Sequence, residues 1–180
     1  MRARAAIAMA ALAAGCASTP EPAPARAGKS LAGVEARCAS DGAPFDLGAG
    51  GDVRLVELWA TWCAPCVKAL PLWNELARAE DLAILAVSID DEREAPLAFA
   101  KKLGLDLPIL WDPFGQRIGA AVPLGGVVPT TLVLDCEGNV RHTHEGFQGP
   151  QVVEQVAAQV RELRRESTCK PQAELAVCAP

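Results

Sequence analysis

The chain reads Val56-Glu57-Leu58-Trp59-Ala60-Thr61-Trp62-Cys63-Ala64-Pro65-Cys66 where an apolar, strand-like run gives way to a helical pattern. Two cysteines separated by two residues stand at the predicted start of the helix. Unpaired backbone N–H groups and the helix dipole stabilise a thiolate at such a position. The second cysteine is close enough to attack a mixed disulfide formed by the first. The stretch therefore predicts a redox pair, with Cys63 as the attacking thiolate and Cys66 as the resolving thiol.

A zinc site is the main alternative reading of this pair, and it would need a second pair of Cys or His ligands at suitable spacing. Cys169 and Cys178 lie in a proline-containing tail, and His142 and His144 lie two apart on a predicted strand, where we interpret them as surface residues. Neither pair makes a good partner. The sequence therefore favours redox chemistry by two thiols, without a metal or other cofactor.

Strand-like and helical runs alternate along the rest of the chain. Strands are predicted near residues 34–38, 44–47, 53–59, 82–89, 109–110, 130–134 and 140–145, and helices near 66–77, 96–103, 114–121 and 153–163. The first two strands and the last two are spaced as hairpins. This alternation predicts an α/β protein, with a central mixed sheet covered by helices on both faces.

Composition excludes several classes of function. The chain has 17 basic and 22 acidic residues, a net charge of −5 and no dense Lys/Arg cluster, so nucleic acid is not an expected partner. Aromatic residues make up 4% and tyrosine is absent, which excludes an extended stacking surface. Seven cysteines in 180 residues are easier to understand in an oxidising compartment than in a reducing one.

The N-terminus has the layout of an export signal. A short basic start with Arg2 and Arg4 precedes an apolar run over residues 5–14 and then Gly15-Cys16. The run is roughly half as long as a membrane-spanning helix needs. Its small residues ending in Gly-Cys resemble a lipoprotein signal, in which Cys16 is lipidated and becomes the new N-terminus. An ordinary secretory peptide, with Cys16 incidental, is the alternative.

These patterns divide the chain into four parts. Residues 1–15 are predicted as the signal peptide, and residues 16–32, rich in Pro and Ala, as a flexible tether behind the lipid anchor. Residues 33–166 form the predicted domain. Residues 167–180 form a tail that carries two cysteines.

The redox stretch also resembles a known family. Trp59-Ala60-Thr61-Trp62-Cys63-Ala64-Pro65-Cys66 is similar to the active-site motif of the thioredoxin superfamily, particularly its exported TlpA/ResA-like branch. Pro71 matches the proline that kinks the active-site helix, and Val127-Val128-Pro129-Thr130-Thr131 resembles the loop with a cis-proline. Residues 88–124 match the strand–helix insertion of this branch. The resemblance implies a thioredoxin fold with an N-terminal hairpin and that central insertion.

The resemblance also implies roles for particular residues. Trp62, Pro65, Val128 and Pro129 would contact an extended segment of a partner, with Pro129 presenting backbone groups and keeping metal away from the dithiol. Glu57 would be buried behind the second cysteine, where desolvation raises the pKa of a carboxyl and lets it take the proton from the resolving thiol. Alternatively, Glu57 is a strand-end residue paired with Arg54 or exposed to solvent.

The predicted function is that of a thiol–disulfide oxidoreductase, a reductase of exported protein disulfides for which cytochrome c and copper-site thiols are candidate targets. A membrane electron-donor protein would regenerate the dithiol, and a lipid on Cys16 would hold the monomer at a membrane facing the periplasm or cell exterior. A thioredoxin-like binding module or metallochaperone without turnover is the alternative. An oxidant role also stays open.

Four cysteines remain after these assignments, and they allow three pairings. Cys38 and Cys136 would join two hairpins, while Cys169 and Cys178 would close a short tail loop. This pairing rests on parity and closeness in the sequence. Buried unpaired thiols are the alternative for the first two.

Overall fold

A computed structural model describes residues 29–166 and Cys178. The predicted signal peptide, Cys16, most of the tether and Cys169 lie outside these residues. The described elements are β1 (Glu35–Cys38), β2 (Pro44–Asp46), β3 (Arg54–Trp59), α1 (Ala64–Glu80), β4 (Ala83–Ser88), α2 (Glu94–Leu103), β5 (Ile109–Trp111), α3 (Gln116–Ala121), β6 (Thr130–Leu134), β7 (Val140–Glu145) and α4 (Gln151–Glu166). A 3-10 turn at Pro113–Gly115 precedes α3. The predicted alternation is confirmed.

The strands form one mixed sheet in the order β2-β1-β5-β4-β3-β6-β7. β3, β4 and β5 run parallel, and the remaining pairs are antiparallel. The predicted N-terminal hairpin, β1 and β2, is one edge of the sheet. The predicted insertion supplies α2, β5 and α3, and its strand β5 lies between β4 and the hairpin.

β3 lies between β4 and β6 and is buried along its whole length. Because successive strand side chains point to opposite faces, Leu55 and Trp59 join one core cluster and Val56 and Leu58 join the other. The first cluster includes the buried stripes of α1 and α4, and the second includes Ile118 of α3. Helices therefore cover both faces of the sheet, as predicted.

The strand register brings the ends of four strands to one edge of the sheet. Trp59 pairs with Ser88, Ser88 pairs with Trp111, and Leu58 pairs with Thr130. The ends of the parallel strands β3, β4 and β5 thus lie beside the start of the antiparallel strand β6. Adjacent strands are about 4.8 Å apart, so the loops at these four ends are neighbours.

Residues 29–32, predicted as the end of the tether, pack against the domain. Leu31 is completely buried, and its N–H donates to the carbonyl of Gly138 at 2.8 Å. Ser30 forms an isolated bridge with Asn139. The packed part of the chain therefore starts before the predicted boundary at Gly33. No helix among the described residues is long and apolar enough to cross a membrane.

The predicted pairing of the extra cysteines is wrong. Cys38 on β1 forms a disulfide with Cys178, 140 residues away, and both residues are buried. Cys38 is therefore not paired with Cys136, and Cys178 is not paired with Cys169. Cys136 is disulfide-bonded too, which excludes the alternative of a buried thiol. Closeness in the sequence did not predict the pairing, because Cys178 lies against the first strand, 140 residues away along the chain.

We expect non-reducing peptide mapping to recover Cys38 joined to Cys178. Cys178→Ala should lower the free energy of unfolding of the oxidised protein by about 2–4 kcal/mol, because the cross-link restricts the unfolded chain over a long loop. Denaturant titrations measure the loss, and in excess reductant the difference between parent and variant should shrink. A recovered Cys38–Cys136 peptide would contradict the pairing.

Candidate active site

Cys63 and Cys66 form a disulfide at the start of α1. Cys63 is the N-cap residue, and its Sγ accepts a hydrogen bond from the backbone N–H of Cys66 at 3.2 Å. Pro65 occupies the first turn, where its missing N–H is not needed. A sulfur held on the unpaired N–H groups of a helix start is stabilised as a thiolate once the disulfide is reduced.

The two sulfurs differ in access. Cys66 is 0% exposed and faces the core, whereas Cys63 is 4% exposed. The neighbours of Cys63 are open to solvent, and Trp62 is 68% exposed. Cys63 is therefore the residue of the pair that lies nearer to solvent, which fits the predicted order of attack.

The loop before β6 contains the cis peptide bond that the resemblance implies, between Val128 and Pro129. The carbonyl of Pro129 accepts the N–H of Gly146 at 2.7 Å, so the expectation that Pro129 itself presents backbone groups needs correction. Neither the N–H nor the C=O of Val128 forms a backbone hydrogen bond to a described residue. The backbone available to an extended partner segment is that of Val128.

Three large apolar side chains are exposed within residues 29–166, and all three flank this edge of the sheet: Trp62, Phe114 and Val127. Phe114 was predicted only as the start of a helix, and its exposure at this edge was missed. It has φ +58°, a conformation that is unfavourable for a bulky residue. Its N–H donates to the carbonyl of Ile89 at 3.1 Å, and Ile89 N–H donates to Trp59. Phe114 is thereby fixed at the edge where β3 and β4 end.

Glu57 is buried in the middle of β3, with 1% exposure. Burial raises its pKa to about 7. The hydroxyl of Thr131 on β6 donates to Glu57 Oε2 at 2.6 Å and opposes the rise. Trp73 also lowers the pKa, although among the described residues neither Trp73 Nε1 nor Glu57 Oε1 has a hydrogen-bond partner of normal geometry. Glu57 is therefore a carboxyl that can gain or lose a proton near neutral pH.

Glu57 lies on the sheet face that α1 covers. It alternates with Leu55 and Trp59, which share a core cluster with Cys66 and Trp73. The alternative pairing with Arg54 is wrong, because the Arg54 guanidinium donates to the carbonyl oxygens of Leu47 and Ala49. The alternative that Glu57 is exposed to solvent is also wrong, because its side chain is buried. Its position is the one that the resemblance implies, on the same side of the sheet as the second cysteine.

A second buried carboxylate was missed. Asp90, two residues after β4, is 4% exposed and accepts hydrogen bonds from Thr61 in the loop that leads to Cys63. In the sequence it follows the predicted strand as an ordinary loop acid, and no local pattern marks it. Only the pairing of β3 with β4 brings it to the redox loop.

The two histidines of β7 are half-buried rather than free on the surface. His144 Nε2 lies 2.9 Å from Gln159 Oε1 on α4, and burial together with nearby His144 lowers the pKa of His142. Among the described residues, no three His, Cys, Asp or Glu side chains are grouped in a way that could hold a metal ion.

The sheet order, the CxxC disulfide at a helix start and the adjacent cis-proline define a thioredoxin-superfamily protein of the TlpA/ResA-like type. Residues 21–160 match the family described as Redoxin. The chain belongs to that family.

Named relatives agree with this assignment. The chain is 31% identical over 102 residues to the thiol-disulfide oxidoreductase ResA of Geobacillus kaustophilus, covering 55% of this chain and 58% of the relative. It is 30% identical over 106 residues to the thiol:disulfide interchange protein DsbE of Xylella fastidiosa, covering 58% of this chain and 52% of the relative. The chain thus spans little more than half the length of these curated relatives.

A solved structure shares the fold. The exposed lipoprotein thioredoxin of Streptococcus pneumoniae is 29% identical and superposes with a TM-score of 0.54, covering 69% of this chain and 97% of that structure. The thioredoxin fold predicted from the resemblance is confirmed.

The raised pKa of Glu57 predicts how stability depends on pH. The folded protein keeps the Glu57 proton up to about pH 7, whereas the unfolded chain releases it near the ordinary value of 4.5. The free energy of unfolding should therefore fall as pH rises from 4.5 to 7, by at most about 3 kcal/mol from this group. Glu57→Gln should remove that part of the slope, as denaturant titrations of the oxidised protein at pH 4.5, 6 and 8 can measure. Parallel pH curves for parent and variant would show that Glu57 does not titrate in this range.

Proposed function

We propose that this protein is a thiol–disulfide oxidoreductase that reduces disulfides of exported proteins. The observation that carries the proposal is the asymmetric pair at the start of α1. The reachable Cys63 sulfur accepts the Cys66 N–H at 3.2 Å, and the second sulfur is fully buried behind it. The names of the relatives similar to this chain support the same activity.

The reaction has two exchange steps. The Cys63 thiolate attacks one sulfur of the partner's disulfide, whose S–S bond breaks as the mixed disulfide forms, and the released partner sulfur takes a proton. Cys66 then loses its proton and attacks the Cys63 sulfur. The mixed disulfide breaks, the partner leaves as a dithiol, and the protein is left with the Cys63–Cys66 disulfide. Two electrons have moved to the partner. Its two sulfurs take up two protons, one equivalent to the proton that Cys66 releases and one from solvent, which replaces the proton that Cys63 had already lost as a thiolate.

Glu57 is the proposed base of the second step. A thiol as deeply buried as Cys66 has no direct access to water, so its proton needs a nearby acceptor. Glu57 is buried on the same side of the sheet, and its pKa of about 7 makes it able to accept that proton near neutral pH. Thr131 fixes one carboxylate oxygen and leaves the other, Oε1, without a described partner.

The edge around Cys63 is suited to an extended polypeptide segment. Val128 offers an N–H and a C=O that no described backbone group uses, so it can pair with a segment as a strand would. Trp62, Pro65, Val127 and Phe114 are exposed around it. No charged residue occurs between Arg117 and Asp135, and the charge at this side of the rim is the exposed Glu145 carboxylate of β7, which accepts the Gly125 N–H at 2.8 Å.

Export and anchoring belong to the same proposal. A signal peptide over residues 1–15 and a lipid on Cys16 would place the domain outside the cytoplasm at a membrane facing the periplasm or cell exterior, and residues 16–28 would serve as the tether. The similar pneumococcal protein is named an exposed lipoprotein thioredoxin. A membrane electron-donor protein would regenerate the dithiol of this monomer, and cytochrome c and copper-site thiols are the candidate targets.

The order of attack is tested by removing one cysteine at a time. Cys66→Ala should accumulate a covalent complex between Cys63 and a substrate protein, because the mixed disulfide cannot be resolved. Cys63→Ser should form no such complex and should lose turnover. Non-reducing electrophoresis with mass spectrometry identifies the bond. Turnover retained by Cys63→Ser, or trapping through Cys66 instead, would contradict the proposal.

Phe114 should contribute to partner binding and not to the exchange chemistry. Phe114→Asn keeps a residue that tolerates positive φ but removes the exposed ring. It should lower kcat/KM for an unfolded protein disulfide by roughly tenfold and leave the rate with oxidised glutathione unchanged. Phe114→Trp is the matched control and should retain most of the activity. An equal loss with both substrates would point to damage at the disulfide itself.

A further inference from the structure

The Asp90 carboxylate is tied to the redox loop by several hydrogen bonds. The N–H of Thr61 donates to Asp90 Oδ2 at 3.1 Å, and the Thr61 hydroxyl donates to Oδ1 at 2.8 Å. The Ser88 hydroxyl donates to Oδ2 at 2.7 Å. Every hydrogen-bond partner of the carboxylate among the described residues is a donor, which is the arrangement that an ionised carboxylate requires.

This negative charge has no neighbouring cation. Asp90 is 4% exposed, and none of the ion pairs between described residues includes it. Water therefore screens it poorly, and its field extends into the surrounding protein. Hydrogen bonds satisfy the carboxylate oxygens without cancelling the charge.

The charge lies close to the attacking sulfur. Thr61 is two residues before Cys63, and the N–H of Cys63 donates to the carbonyl of Ala60 at 3.1 Å, which folds this loop into a tight turn. The Cα atoms of Thr61 and Cys63 can be at most about 7 Å apart. Asp90 is therefore hydrogen-bonded to the chain two residues before Cys63, and the carboxylate itself is buried although Trp62 in the same loop is exposed.

The other charged groups that the structure describes around this edge of the sheet are not bonded to the redox loop. On β3 the buried ionisable group beneath α1 is Glu57, and on α1 the first charged residue is Lys68, which is exposed. Asp91 and Glu92, which follow Asp90, are exposed as well. The loop before β6 has no charged residue of its own, but its Gly125 N–H donates to the exposed Glu145 carboxylate of β7 at 2.8 Å. Asp112, after β5, is a further buried carboxylate, and it accepts the N–H groups of Arg117 and Ile118 at the start of α3. Asp90 is thus the buried fixed charge that is bonded directly to the redox loop.

We infer that Asp90 is a positioning residue that holds the Cys63 loop and, through its charge, biases the Cys63–Cys66 pair toward the disulfide, so that the reduced protein is an electron donor. The inference rests on the proposed exchange activity and gives it a direction. A helix start stabilises the Cys63 thiolate, which favours the reduced pair. A buried negative charge opposes that stabilisation, so ionisation of Cys63 favours the reduced pair by less than it would without the charge.

Asp90→Asn tests the charge separately from the hydrogen bonds. Its Oδ1 can still accept from Thr61, while Ser88 can accept from the amide. The matched control is Asp91→Asn, which removes the same charge from the next, exposed residue, where solvent screens it. The readouts are the pH profile of Cys63 alkylation by iodoacetamide in the reduced protein and the dithiol-to-disulfide ratio in glutathione buffers.

We expect Asp90→Asn to raise the alkylation rate of Cys63 at pH 6 by roughly threefold to tenfold and to shift the glutathione equilibrium toward the dithiol. Asp91→Asn should change either quantity by less than about twofold. Asp90→Ser, whose hydroxyl can still accept the Thr61 N–H, gives a second measurement if the asparagine variant folds poorly. Equal behaviour of the Asp90 and Asp91 variants would overturn the inference.

The outcome for the parent protein distinguishes this failure from failure of the proposed function. If the parent pair cycles between dithiol and disulfide and Asp90→Asn leaves its profile unchanged, only the role of Asp90 is wrong. If the parent pair does not exchange with glutathione at all, the oxidoreductase proposal itself fails.

Discussion

The structure depends on the complete burial of β3. Its neighbours in the sheet are β4, which is parallel, and β6, which is antiparallel, and helices cover both of its faces. Because its six residues are covered on both faces, the strand has a fixed register, and its end at Trp59 has one position relative to β4 and β6. Helix α1 can then begin only at that edge, immediately above the cis-proline loop. The chemistry of Cys63 follows from this geometry, since the same sulfur would gain no thiolate stabilisation in the middle of a strand or helix.

Burial also imposes a cost on each ionisable side chain near this strand, and the three cases are resolved differently. Arg54 directs its guanidinium to carbonyl oxygens of the preceding loop. Asp90 is satisfied by three donors and so can stay ionised. Glu57 receives one hydroxyl, which does not compensate for lost hydration, and burial raises its pKa to about 7. Of these two carboxyls, Asp90 is therefore suited to be a fixed charge and Glu57 to exchange a proton.

The sequence predicted those features that depend on local chemistry. The apolar run of β3 and the helical spacing of α1 are patterns within single elements, and the CxxC pair stands next to its helix start in the chain. The failures concern contacts between distant segments. Cys38 pairs with Cys178 rather than with a cysteine nearer in sequence, and Asp90 reaches Thr61 only because β3 and β4 are parallel neighbours. Phe114 was predicted as part of a helical run, and no local pattern indicated its positive φ or its exposure.

The central insertion thus does more than extend the sheet. It begins at the end of β4 with Asp90, and the indole N–H of Trp111 on β5 donates to the Asp90 carbonyl at 2.8 Å. Phe114 follows at the end of β5, two strand positions from the redox loop. One inserted segment therefore holds a buried carboxylate that is bonded to the loop before Cys63, and it also places an exposed apolar side chain at the same edge of the sheet. Because neither residue belongs to the CxxC motif, the driving force of the exchange and the choice of partner can change independently of the two cysteines that carry it out.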